Sequence, residues 1–281
     1  MIPTATILAC FITLFVSLIL PVLILIGYCV KNKGQGIFSA WLLGAAGFLV
    51  TQMMIRLPLL NILSASSGFL VFAQAHPFLY YLFLAFTAAL FELVGRFTVA
   101  RLLGTNRTFS RSLAAGLGHG GIEAMLLIGL TYVNNLIYLF MIRSGSFDAL
   151  IAQTAAAGAD VSQLTLLRDS LLQTSSAMFL LAGLERLLTM IIQTAMSVIV
   201  CYAVHTRRTV PGLLICLGIH TLLDLSTFIA ALSTESMGSV LSQTAAYGIV
   251  YALLTIIALA SLQVLKNIRA RWNTAPTGGS L

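Results

Sequence analysis

Of the chain's 281 residues, 59% are hydrophobic and only 8% charged, where a soluble domain carries about 25% charged residues. The mean hydropathy of +1.01 excludes a soluble fold, which could not hide this much apolar surface, and points to an all-α, polytopic membrane helix bundle. The formal charge of +7 does not indicate nucleic acid, because the Lys and Arg residues flank apolar segments and form no basic run interleaved with aromatics.

Segment one covers about Ala5–Val30 and ends at Lys31 and Lys33. It lacks the basic start of a cleavable signal and is expected to stay in the mature protein. Segment two, about Ile37–Leu60, has Arg56 near its far end, where a long side chain can snorkel to the interface. Residues 61–77 hold no Lys or Arg. Segment three, about Phe78–Leu103, carries Glu92 and Arg96 and is followed by Arg107 and Arg111. Segment four, about Leu113–Met141, opens with Gly116-Leu-Gly-His-Gly-Gly-Ile-Glu123.

The one long connection, Ile142–Ala182, contains Asp148, Asp160, Arg168 and Asp169 and reads as one or two short helices outside or on the membrane surface. Segment five, about Gly183–His205, begins with Glu185-Arg186 and ends at Arg207-Arg208. Segment six, about Val210–Leu232, carries His220 and Asp224. Segment seven, about Val240–Leu265, precedes Lys266, Arg269 and Arg271. The expected organisation is one integral-membrane domain over residues 1–270, with a disordered cytoplasmic tail over 271–281. Basic residues follow segments one, three, five and seven, so the positive-inside rule predicts seven spans, N-terminus outside and C-terminus cytoplasmic. Cys10, Cys29, Cys201 and Cys216 lie in or beside apolar segments without CxxC spacing, which argues against a disulfide framework or a zinc finger.

Three pairs of ionisable residues sit four apart inside these spans: Glu92 with Arg96, His119 with Glu123, and His220 with Asp224. That spacing puts each pair on one helix face. Ionisable groups inside a membrane are costly and usually mark function. Counted at roughly 1.5 Å per residue from the cytoplasmic ends, all six and Gln193 fall in one layer roughly 10–20 Å deep. Glu185 and Arg186 fall nearer the outer face, where a structural pair or an interfacial role is expected. Singly, each pair has a plainer reading as an ion pair or a helix–helix hydrogen bond, and the glycines at 116, 118, 120 and 121 suit either tight packing or a substrate passage. Together the residues describe a polar centre. A carboxylate sheltered from bulk water can act as general base, and histidines can stabilise an oxyanion or hold a zinc ion that activates water. The same set could relay protons in a transporter, although no internal repeat of the transporter kind is visible.

At these residues the sequence resembles the YhfC family of intramembrane proteases, within the superfamily of type II CAAX prenyl endopeptidases and bacteriocin-immunity-type membrane proteases. The resemblance rests on Phe91-Glu-Leu-Val-Gly-Arg-Phe97, the Gly116–Ala124 string, Leu184-Glu-Arg186, Met196–Val200 and His220-Thr-Leu-Leu-Asp224. It implies an intramembrane endopeptidase of the bacterial plasma membrane, acting on a membrane-embedded peptide or protein in the lipid bilayer, with no nucleic acid. The mechanism it implies is glutamate-type or metal-dependent. Glu92 and Arg96 match the second Glu and the Arg of a Glu-Glu-xxx-Arg motif, and His220 and Asp224 match the last motif. The implied catalytic set is Glu92, Glu123, His119, His220, Asp224, Arg96 and Gln193, with His119, Glu123 and His220 as ligands if zinc is bound. Two positions depart from the pattern: Phe91 replaces the first Glu, and Gln193 stands where a histidine is expected. These departures leave open a non-catalytic relative that binds membrane peptides.

Overall fold

Inside a bilayer a chain can satisfy its backbone as helices, and the computed structural model, which describes residues 2–235 and 243–274, has no strand among them. In chain order the helices are α1 (Thr4–Lys31), α2 (Ile37–Ser64), α3 (Ser67–Ala75), α4 (Pro77–Leu102), α5 (Phe109–Ser144), α6 (Ser146–Ala156), α7 (Ser162–Gln173), α8 (Ser176–His205), α9 (Thr209–Glu235) and α10 (Gln243–Arg271). Among the described residues, 7 helices (α1, α2, α4, α5, α8, α9 and α10) are long and apolar enough to span a membrane. They correspond to the seven apolar segments of the sequence. The connection from 142 to 182 contains two short helices, α6 and α7, as expected. Its ends are helical as well, because α5 runs on to Ser144 and α8 begins at Ser176. Helix α3 was not anticipated; it is a short apolar helix closed by Pro77, which opens α4 at a position where a missing N–H is harmless. The expected start of segment seven at Val240 and residues 275–281 of the tail lie outside the described residues.

Main-chain contacts divide the chain into two compact units, Met1–Ile24 with Glu123–Leu187, and Leu25–Ile122 with Leu188–Leu281. The first unit is packed around Ile7, Cys10, Tyr132, Leu136, Leu139 and Phe179. Its spans are joined by hydrogen bonds to one carbonyl, that of Phe179, from the Thr13 hydroxyl (2.6 Å) and the Tyr132 hydroxyl (3.2 Å). Helix α6 is anchored by the fully buried Phe147 against Tyr138, and Arg168 of α7 reaches Asp148 of α6 at 3.0 Å. At the start of α7, the amide and hydroxyl of Ser162 both donate to Asp160 and hold its carboxyl below the ordinary range.

The second unit is packed around Ile37, Leu93, Val99, Ile192, Val198 and Leu254, among others. Two glycines decide how closely its helices approach. A methyl group on Gly118 of α5 would collide with the carbonyl oxygen of Trp41 in α2, and one on Gly44 of α2 would collide with that of Ala115 in α5. The two backbones therefore touch without side chains between them, the close approach that small residues permit in membranes. Packing thus accounts for Gly118 in the glycine-rich string.

Helices α1 and α2 each contain a π-helical stretch just ahead of a proline: Phe15–Ile19 before Pro21, and Leu49–Arg56 before Pro58. Proline cannot donate to the carbonyl four residues back and its ring crowds that carbonyl, so a local widening of the helix relieves the conflict. In α2 the widened stretch carries Gln52 and Arg56.

Candidate functional site

The second unit holds a buried polar cluster centred on Glu92 of α4, which is 3% exposed. One turn along the same helix, Arg96 donates from Nη2 to Glu92 Oε2 at 2.9 Å, and the same nitrogen donates to the Gln193 side-chain oxygen on α8. His119 of α5 meets Glu92 Oε2 through Nε2 at 3.0 Å. His220 of α9 places Nδ1 at 3.8 Å from that oxygen. Its other nitrogen, Nε2, lies 3.5 Å from Asp224 Oδ2. Phe48 stacks edge-on against the His119 ring, with centroids 5.4 Å apart, and limits its rotation.

Of the residues singled out in the sequence, Arg96, His119, Gln193 and His220 are thus brought to Glu92, and Asp224 stands behind His220. Glu123 follows His119 by four residues along α5 and belongs to the first unit. Its carboxylate accepts from Arg186 at 3.3 Å, and Arg186 also pairs with Glu185. The expected structural pair at the head of segment five is therefore an acid–arginine–acid group that includes Glu123.

Two further members were not singled out for the site. Gln52 donates from Nε2 to the other Glu92 oxygen, Oε1, at 3.2 Å. Arg56 does not snorkel outward; it is buried against α4, donating to the Leu84 carbonyl (2.7 Å) and the Thr87 hydroxyl (3.2 Å). The sequence signal available was their own four-residue spacing ahead of Pro58, the same spacing that marks the other pairs.

The second unit holds two spaces near the residues described, the smaller of them against the cluster itself. One, of about 10 Å³, touches Arg96, His119, Ser197 and Cys201, about the size of a single water. The other is an open apolar groove of about 550 Å³ between α8, α9 and α10, lined in part by Ile192, Met196, Ile219, Leu222 and Leu225. Several of these residues are sequence neighbours of Gln193, His220 and Asp224.

A family model described as YhfC intramembrane metalloprotease matches residues 16–251. The chain belongs to this family. Among relatives, it is 30% identical over 195 residues to the uncharacterized membrane protein YhfC of Bacillus subtilis (strain 168), covering 69% of this chain and 73% of that one. No solved structure matches. Family membership and the seven candidate spans make this a multi-pass protein of the bacterial plasma membrane.

The description of the YhfC family implies a metal, and the donor set can be tested against it. Zinc takes histidine and carboxylate ligands in a tetrahedron whose bond lengths place neighbouring ligand atoms about 3.3 Å apart. Around Glu92 Oε2 the two imidazole nitrogens lie at 3.0 and 3.8 Å, on either side of that separation. Among the described residues His220 Nδ1 is buried without a hydrogen-bond partner, as a ligand atom would be, while Asp224 backs the opposite nitrogen in the manner of carboxylates behind metal-bound histidines. By ligand type Glu92, His119 and His220 suit a divalent metal, and each imidazole is spaced for it against Glu92 Oε2. Arg96 is, among the described residues, the one cation in direct contact with this set.

Proposed function

We propose that this protein hydrolyses peptide bonds of membrane-embedded substrates at the Glu92 centre. The observation that carries the reading is a carboxylate almost wholly buried within apolar spans and faced by two imidazoles, a guanidinium and two amides from four other helices or its own. A purely structural ion pair needs one partner of opposite charge, whereas two histidines converging on the same oxygen supply acid–base or ligand chemistry. Glu92, His119 and His220 would hold the metal, whose chemistry when bound is to acidify a water molecule and polarise a carbonyl. Glu123, four residues after His119 in the sequence, is the carboxylate proposed to take up the water's proton and pass it to the departing amine as the C–N bond breaks. Arg96 Nε, buried without a hydrogen-bond partner among the described residues, and the Gln193 amide are donors for the oxyanion that forms at the scissile carbonyl. The apolar groove along α8, α9 and α10 offers a surface for the flanking apolar part of the substrate.

The basic residues at one set of helix ends support an N-terminus outside and a C-terminus in the cytoplasm, which puts the centre in the cytoplasmic half. One observation favours a second reading, a non-catalytic protein that captures membrane peptides: both Glu92 oxygens already accept hydrogen bonds, Oε1 from Gln52 and Oε2 from Arg96. The deciding experiment is a cleavage assay against transmembrane peptides with metal analysis, on detergent-purified wild type, Glu92→Gln, Glu123→Gln, His119→Ala and His220→Ala. Cleavage by wild type that is lost in the variants, with metal lost from the histidine variants, supports the protease. Stable peptide capture without cleavage, unchanged in the variants, selects the binding protein.

A further inference from the structure

We propose that Gln52 of α2 is a positioning residue for the Glu92 centre. The inference rests on the metal-centre reading above and adds a residue to it. Gln52 is 7% exposed, and its amide nitrogen donates to Glu92 Oε1 at 3.2 Å. A carboxylate on a flexible stem can rotate to present either oxygen or both. With Oε1 held by Gln52, Oε2 is the oxygen turned toward His119 and His220, which is the oxygen both imidazoles face. Gln52 therefore fixes which oxygen is presented, as partners behind a metal ligand characteristically do.

A second observation points the same way. Among the described residues the side-chain oxygen of Gln52 is buried without a hydrogen-bond partner, in surroundings where an unmet acceptor is costly. A residue kept there solely to pack would be better served by leucine or methionine. An amide that holds Glu92 with its donor and keeps its acceptor free suits a centre that receives a donor from outside: a water O–H or the N–H of a peptide bond. The π-helical turn that carries Gln52 adds to this, since such turns are frequent at functional sites.

The test compares wild type with Gln52→Leu, using Thr51→Ala on the same turn as a control for local disruption. Two readings are taken on purified protein: the infrared carboxylate band of Glu92, assigned by difference from Glu92→Gln in the metal-free state, and the affinity for Co²⁺ by chelator competition, with its visible absorption. In Gln52→Leu the Glu92 band shifts, Co²⁺ binds about 10–100-fold more weakly and its spectrum changes; in Thr51→Ala none of these moves. An unshifted band overturns the proposal, as does a shifted band with unchanged Co²⁺ affinity, or a Thr51→Ala variant that behaves like Gln52→Leu. If wild type binds no Co²⁺, the metal-centre reading falls by itself and the infrared band alone decides the role of Gln52.

Discussion

Removing Arg96 while leaving Glu92 in place strands a carboxylate in the bundle. The two charges lie 2.9 Å apart with side chains 1% and 4% exposed, so their attraction is roughly 6 kcal/mol at an effective dielectric of about 20. Desolvating both ions offsets much of that gain, and the pair as a whole contributes little net stability. Deleting one partner cancels the attraction and leaves the other's desolvation penalty, which costs about 3–5 kcal/mol. Arg96→Met is expected to lose that amount in reversible unfolding in mixed micelles, followed by far-ultraviolet circular dichroism. The double variant Glu92→Gln/Arg96→Met removes both charges and should return to within about 1–2 kcal/mol of wild type, a coupling of the size seen for contacting residues. A loss below about 1 kcal/mol in the single variant, or a double variant no better than the single, would refute the account of Glu92 as a buried charge dependent on Arg96.

The other predictions concern packing, ligand support and pH. Gly118→Ala forces a methyl group into the Trp41 carbonyl and should cost about 1–3 kcal/mol or more, whereas Gly248→Ala, which meets nothing within 4 Å, should be neutral or gain up to about 1 kcal/mol; thermal melts in detergent compare them, and equal melting would sink the argument. Asp224→Asn keeps the shape behind His220 but removes its charge, so metal retention should weaken about 10–100-fold without loss of fold, checked by chelator competition. The depressed carboxyl of Asp160 stabilises the start of α7 above the ordinary carboxyl range, and this is lost as pH falls through its lowered value. Protection of the Ser162 amide from hydrogen exchange should decline on acidification in wild type and be low throughout in Asp160→Asn.

The spans were legible because apolar length alone identifies them, and most of the cluster was legible because charges in such spans stand out. Glu92, Arg96, His119, Gln193 and His220 could be placed at one depth by counting residues from basic helix ends. Gln52 was not legible, since a neutral amide in a span carries no comparable penalty; Gln193, just as neutral, stands out where the resemblance expects a histidine. Arg56 reads as interfacial because segment two reads as ending at Leu60, whereas α2 runs to Ser64 and draws the guanidinium inward. The engagement of Glu123 with Arg186 was hidden for a different reason. A spacing of four fixes the helix face but not which neighbouring helix a long side chain will meet.

Glu92 and Arg96 are neighbours on α4 itself, and this bears on how the protein is made. A lone carboxylate or guanidinium near the middle of a span opposes membrane insertion by about 2.5–3.5 kcal/mol. Helix α4 carries its own counterion, so it can enter the bilayer during synthesis with the two charges already paired, before α5, α8 and α9 exist. The histidines and amide of those later helices then arrive at a carboxylate that is already inside the membrane and already oriented by its partner one turn away.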